Sequence, residues 1–241
     1  MKLLFVSIMM SLFSTLFALS VVGEIESLNG NVKVKSEGSI KKSKLSSGQS
    51  INAGDLIISS RDSSVKIKLV DGSSLVLAEL STVHFTSIYE AEQVEGKVLY
   101  SITSRDAKNS LKIKTPFAVI GIKGTTFIIN ATEESSVTLK EGLIGVTSLN
   151  AEFELYRKKI DDEFSAFKAQ SAAAMQQEKD EFEKFKNDNY TKYEKPIITK
   201  EFDLHALHRI SFDGTKVKED AFEEADKKAF DYFAKLLESM K

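Results

Sequence analysis

Residues 114–142 read KTPFAVIGIKGTTFIINATEESSVTLKEG, and the rest of the chain is organised around this stretch. Every position from 117 to 122 except Gly121 is apolar, so a strand here presents hydrocarbon on both faces, as strands buried on both sides do. Pro116 lacks a ladder donor and biases Thr115 to extended geometry, which suits the first residue of a strand. We therefore expect a core strand at this point.

Two glycines follow, and a second strand comes after them. Gly121 and Gly124 permit a bulge, a positive φ or a close backbone approach that a side chain would block. The five residues that begin with Thr125 and include Phe127 are β-branched or aromatic throughout, which is typical of a strand. The stretch therefore predicts two strands joined by a glycine-dependent turn.

The surrounding residues, 24–150, show the same character. Short segments such as 65–69 alternate between apolar and polar residues, and Asp71-Gly72 is a tight hairpin signal. We predict about ten to twelve short strands from the spacing of such breaks. A sandwich, a jelly roll or a β-helical coil would each fit this all-β pattern.

One short theme occurs three times within these strands. A glycine precedes an alternating apolar segment at Gly30, Gly96 and Gly142. The separations of 66 and 46 residues are unequal, so the theme does not predict a solenoid of constant period.

The central stretch also resembles a known signature, that of the FecR domain family, in the run Thr115-Pro116-x-Ala118-Val119-x-Gly121-Ile122-Lys123-Gly124-Thr125-x-Phe127 with Gly142 closing a later Glu-Gly turn. Members of that family are β-rich periplasmic modules, best known as transmembrane regulators that pass a signal from an outer-membrane receptor to a cytoplasmic sigma factor. The resemblance covers about residues 24–150. It favours the β-helical coil or the jelly roll, and a role in signalling through protein contacts.

The chain departs from the family in two respects. Lys123 stands where the family usually has arginine, and lysine cannot make the planar two-pronged contact of a guanidinium. The sigma-regulating members begin with a cytoplasmic segment and a membrane span, and this sequence begins with neither. We therefore expect a binding or signalling module rather than a sigma regulator, with Lys123 as a candidate contact residue.

The composition excludes several classes of function. The 33 basic and 35 acidic side chains give a net charge of −2, which provides no basic field for nucleic acid. The chain has no cysteine, which excludes disulfides, thiolate metal sites, a cysteine nucleophile and a lipoprotein anchor. Residues 24–150 hold 25 valines and isoleucines, and residues 151–241 hold five, so we expect two different kinds of structure.

The N-terminal residues 1–20 predict a secretory signal peptide. Lys2 precedes an apolar block, and Ala18 and Ser20 stand at the positions that a signal peptidase reads, so we expect cleavage after Ser20. The alternative is an uncleaved anchor, since the block approaches the ~17 residues that a span requires. With cleavage the protein would be periplasmic and would retain no membrane span.

The residues beyond 150 predict helices. In 151–195 apolar residues recur at spacings of three and four, which indicates a long amphipathic helix with Phe153, Phe164 and Phe182 as candidate contact residues. In 196–241 we expect a connector at Pro196, a small hairpin near Asp213-Gly214 and a second helix over about 219–240. The second helix could fold back on the long one, or the long helices of two chains could pair.

No motif carries catalysis or holds a metal or other cofactor. His205 and His208 could supply half of a zinc site but lack a further ligand cluster, and His84 is typical of a satisfied strand residue. Gly121 to Thr125 has the wrong residue order for a phosphate loop. We therefore expect a non-enzymatic protein that contacts an envelope protein. The alternative is an envelope assembly protein that oligomerises through its phenylalanine-lined helices.

Overall fold

A computed structural model of the protein describes residues 20–103, 111–122, 124–157 and 196–240. The first fourteen strands are β1 Val21–Asn29, β2 Val32–Lys35, β3 Ser43–Lys44, β4 Ser50–Asn52, β5 Leu56–Ser59, β6 Ser64–Leu69, β7 Ser74–Leu77, β8 Thr82–Ser87, β9 Glu90–Ile102, β10 Leu111–Lys114, β11 Val119–Ile122, β12 Thr125–Ala131, β13 Ser136–Glu141 and β14 Leu143–Thr147. The remaining elements are β15 Phe153–Arg157, β16 Ile197–Thr199, β17 Glu201–His205, β18 His208–Asp213, β19 Lys216–Ala221 and the helix α1 Glu224–Ser239.

The strands form two sheets. The first sheet has the order β4-β1-β6-β7-β9-β12-β13-β18-β19-β15-β16. The second sheet has the order β3-β2-β5-β8-β9-β10-β11-β14-β17. Strand β9 belongs to both, because its first half pairs with β8 and its second half with β7 and β12.

The two sheets face each other across one hydrophobic core. Inward residues of both sheets, such as Ile120 and Ile144 of the second and Phe127 and Ile129 of the first, are fully buried in one cluster. Nearly all ladders are antiparallel, with parallel pairs only at β9–β10 and β15–β19 among the described strands. The sandwich is thus the architecture found among those that the sequence left open, and the β-helical coil, which stacks parallel strands, is wrong.

The threefold theme marks corners where the chain passes between the sheets. Gly30 lies between β1 and β2, Gly96 within β9, and Gly142 between β13 and β14. Each has a positive φ, of 78°, 86° and 95° respectively. Glycine adopts this conformation without the steric cost that a Cβ imposes. The repeated glycine therefore marks the corners of a sandwich and not the coils of a solenoid.

The helix α1 covers the outer face of the first sheet at β7, β9 and β12. Val76, Leu99 and Ile128 point away from the main core and form a second cluster with Phe233 of the helix, which is fully buried. Asp226 reinforces the contact, because its Oδ1 accepts a hydrogen bond from the Thr138 hydroxyl of β13 (3.5 Å) and lies 3.6 Å from the Arg209 guanidinium of β18. The result is a three-layer arrangement of helix, first sheet and second sheet.

The expected core strand is displaced along the chain. Strand β11 begins at Val119 rather than at residue 117, and its outward residues Val119 and Gly121 are only half-buried. Burial on both faces occurs in β12 instead, where Phe127 faces the main core and Ile128 lies under α1. The hydrocarbon pattern indicated a core strand correctly but not which strand the helix covers.

The long helix predicted from residue 151 is wrong at its start. Residues 153–157 form β15, in which Phe153 and Leu155 are buried, and this strand pairs with β16 and β19. The rest of the predicted helix, 158–195, lies outside the described residues. Among the residues that are described, α1 is the one helix.

The hairpin and the C-terminal helix that the sequence predicts are both present. Strands β18 and β19 form the expected hairpin about Gly214, and the C-terminal helix is present but begins at Glu224 because β19 continues to Ala221. No helix in the described ranges has the length and apolarity that a membrane crossing requires.

Candidate functional site

The first half of the signature motif forms the turn between β10 and β11. The Thr115 N–H and hydroxyl both donate to the Ala118 carbonyl (2.9 Å each), and the Thr115 hydroxyl accepts from the N–H groups of Ala118 (3.0 Å) and Phe117 (3.3 Å). Pro116 takes the second position of this four-residue turn, where its fixed φ is favourable. Thr115 is buried, so its hydroxyl replaces water as the partner of these backbone groups.

We expect Thr115→Val to destabilise the protein by about 1–3 kcal/mol, because it keeps the shape of threonine but leaves two backbone donors without their acceptor. Thr115→Ser is the matched control, since it retains the hydroxyl and removes only a methyl group. Chemical denaturation of both variants measures the difference. Equal midpoints for valine and serine would contradict the assigned role of the hydroxyl.

The second half of the motif is a double crossing between the sheets. Gly124 leads from β11 in the second sheet to β12 in the first, and Gly142 leads back from β13 to β14. Both have a φ of 95°. A Cβ on Gly142 would lie 2.5 Å from the Gly124 carbonyl oxygen, so the two crossings are packed directly against each other. Thr125 follows buried, and its hydroxyl has no hydrogen-bond partner within the described residues.

Gly121 has a different environment. It is directly opposite Gly145 of β14 on the outer face of the second sheet. A Cβ on Gly121 would approach nothing closer than the Gly145 carbonyl oxygen at 3.9 Å, and one on Gly145 nothing closer than Asp203 Oδ1 at 3.8 Å. Neither has a positive φ. The fold itself therefore does not require glycine at either position.

Charged side chains flank this pair of glycines. In one row across four strands, Lys112 pairs with Gly121, Gly121 with Gly145, and Gly145 with Asp203. The neighbouring row runs in the order Lys114, Val119, Thr147 and Glu201. Both rows are basic at β10 and acidic at β17. We call these eight residues the glycine face.

The interior of the sandwich holds a polar cluster near the β9 corner. The Tyr100 hydroxyl donates to Gln93 Oε1 (2.9 Å), and Gln93 Nε2 donates to the carbonyls of Gly96 (2.9 Å) and Ile129 (3.2 Å). Burial raises the pKa of Tyr100 far above its usual value, so the phenol stays neutral. Every polar group has a partner, which assigns the cluster to the structure of the corner.

The described residues offer few other places for chemistry. They contain no group of three potential metal ligands. A shallow cavity of about 310 Å³ lies on the outer side of the first sheet and is lined by Tyr156, Ser211, Phe212, Asp213, Lys216 and Lys218. His205 and His208 lie on strands of different sheets.

Of the four candidate contact residues, Phe153 is the one that lies within the described part of the chain. Phe153 is buried, with its ring against Phe202 (5.7 Å between centroids) and Phe212 (6.0 Å), so it belongs to the core rather than to an exposed helix face. Lys123, Phe164 and Phe182 lie outside the described residues. Reasoning from sequence missed Gly145, although a glycine inside the alternating run of β14 is a signal of close backbone approach.

The fold and the motif together define a mainly β sandwich domain whose signature residues hold a turn and a double crossing. Residues 55–145, which span β5 to β14, match the family model described as FecR protein, so this part of the chain is a FecR domain, as the resemblance implied. The match lies within the range 24–150 that the sequence indicated.

Comparison with known structures gives distant neighbours. A crystal structure of a "putative anti-sigma factor" from Parabacteroides distasonis ATCC 8503 is 13% identical, with a TM-score of 0.47 over 73% of this chain. A second crystal structure with the same description is 14% identical, with a TM-score of 0.45. The chain spans 63% of the length of these neighbours. No curated protein matches the sequence.

Proposed function

We propose that this chain is an exported, non-enzymatic FecR-domain protein that acts as a binding and signalling module through protein contacts in the periplasm. The observation that carries the proposal is the match of residues 55–145 to the FecR family. The apolar N-terminal block with Ala18 and Ser20 supports export.

The use of the motif residues supports a role in contacts rather than catalysis. Thr115, Gly124 and Gly142 hold the backbone, and each is explained by a turn or a crossing. The helix α1 covers the outer face of the first sheet at β7, β9 and β12, and the glycine face of the second sheet carries exposed side chains such as Lys112 and Asp203. The glycine face therefore offers a protein partner an accessible surface on the second sheet.

The experiment is site-specific photo-cross-linking in intact cells. A photoreactive amino acid at Thr147, exposed on the second sheet, is compared with one at exposed Lys228 of α1, and the captured proteins are identified by mass spectrometry. A shortened chain ending at residue 150 would be a poor reagent, because β17 and β18 pair directly with β14 and β13.

We expect Thr147 to capture one envelope protein other than this chain and Lys228 to capture none. Capture of no other protein from either position would overturn the signalling proposal. Fractionation of the same cells tests export, since a chain that stays with cytoplasmic markers contradicts the proposed location.

A further inference from the structure

We propose that the glycine face is a self-complementary surface on which a second copy of this chain docks, with Gly121 and Gly145 at its centre. The inference does not depend on the proposed signalling function. It rests on two glycines that the fold does not explain and on the order of charges around them.

Glycine is a costly choice at these two positions. Inside a strand it is less favourable than alanine, since it loses more conformational freedom on folding and packs nothing. Gly121 and Gly145 are direct cross-strand neighbours with ordinary strand φ values and room for a Cβ. What the two glycines do provide is a flat, half-buried patch of bare backbone, which allows another surface to approach closely.

The flanking charges identify the kind of surface that fits. Lys112 lies on one side of the glycine pair and Asp203 on the other, both exposed. Neither side chain forms an ion pair within the described part of the chain. In the adjacent row Lys114 and Glu201 repeat the arrangement, with an exposed 3.3 Å ion pair from Lys114 to Glu92. Exposed pairs of this kind contribute little and can be shared with a new partner.

This order of charges is complementary to itself under a two-fold rotation. The two-fold axis runs parallel to the strands and lies above the midpoint between β11 and β14. It places Gly121 of one copy over Gly145 of the other. The same rotation sets Lys112 over Asp203 of the second copy and Lys114 over its Glu201. Each of these two contacts occurs twice, as an isologous interface requires, so four opposite-charge contacts surround a flat centre.

The size of the surface sets the strength of the interaction. Four strands at about 4.8 Å spacing and four residues at about 3.4 Å each give a patch of roughly 19 by 14 Å. That is below the ~800 Å² per partner of a standard interface, so the dimer is weak and forms at high local concentration. Because the charges are exposed, raising the salt concentration weakens it further.

The test is sedimentation of the purified protein from micromolar to millimolar concentration at low salt, with charge-reversal variants. We expect the wild-type protein to form dimers, and Lys112→Asp and Asp203→Lys each to weaken dimerisation at least about tenfold through like-charge contacts. A mixture of the two variants should regain the dimer, since in the mixed pair each side chain at position 112 faces an opposite charge at position 203 of the other variant. A merely structural role for either residue would not produce this rescue by mixing.

A second variant tests the flat centre independently of charge. Gly145→Val has room for its Cβ and should keep or raise the melting temperature while abolishing the dimer. A wild-type protein that stays monomeric at millimolar concentration would overturn the proposal. It would also be overturned if the mixture of charge variants remained monomeric, or if a folded Gly145→Val protein dimerised like the wild type.

Discussion

Gly142→Val is expected to prevent the FecR domain from folding, or to lower its free energy of unfolding by at least about 3 kcal/mol. The residue has a φ of 95°, a conformation that costs an L-residue about 1–2 kcal/mol and a β-branched residue more. Its Cβ would also lie 2.5 Å from the Gly124 carbonyl oxygen and 2.5 Å from Thr125 Cγ2. One of these neighbours is backbone, so the clash cannot be relieved by a rotamer change alone.

The matched control for this prediction is Gly145→Ala, three residues along the same strand pair. Gly145 has ordinary strand geometry and no atom closer than 3.8 Å to a Cβ, so alanine should raise stability by roughly 0.5–1 kcal/mol. Thermal melts and urea titrations of the two variants measure the difference. We expect the free energy of unfolding to fall in Gly142→Val and to rise in Gly145→Ala. A Gly142→Val protein that melts like the wild type would show that the double crossing tolerates a side chain.

The positions of the sandwich corners could be predicted from the sequence, but the strands that each corner connects could not. Gly30, Gly96 and Gly142 stand out in the sequence because each precedes an alternating segment, and all three prove to be left-handed corners between the sheets. A local pattern reports that a backbone needs glycine. It does not report which strands meet beyond the corner, because that depends on pairings between residues far apart in sequence.

The misassigned strand β15 has a physical explanation of the same kind. Phe153 and Tyr156 have helical spacing, but Phe153 and Leu155 also alternate as in a strand, and a short apolar run does not distinguish the two. The choice is made by β19, which pairs with β15 in parallel and lies about sixty residues later in the chain. Tertiary pairing therefore overrides the local helical pattern.

The glycine face was hidden from sequence reasoning for a related reason. Gly121 attracted notice through the signature motif, whereas Gly145, Lys112 and Asp203 lie in three other segments. Only the register of β10, β11, β14 and β17 brings them into one row. A site built across strands leaves no contiguous motif in the chain.

Phe233→Ala is expected to release α1 from the sandwich, with a loss of about 3–5 kcal/mol of docking free energy. Phe233 is fully buried, and the cluster that it forms with Val76, Leu99 and Ile128 is separate from the main core. The sixteen-residue helix has two buried side chains, Phe233 and Asp226, and its other apolar residues pack against the cluster only partly buried, so Phe233 is the largest fully buried contact with the sheet. A short amphipathic helix without its packing surface is marginal in water, and the segment should unfold locally.

Hydrogen exchange separates this local event from global unfolding. In Phe233→Ala the amides of residues 224–239 should lose protection while those of β11 and β12 keep theirs, because the inward face of β12 packs in the main core. The control is Lys228→Ala, an exposed change on the same helix that should leave every segment protected. Full protection of the helix in Phe233→Ala would mean that Asp226, with Arg209 at 3.6 Å and its capping box, is sufficient to hold it. Equal loss of protection in both sheets would mean that α1 is an integral third layer, whose removal unfolds the sandwich that it covers.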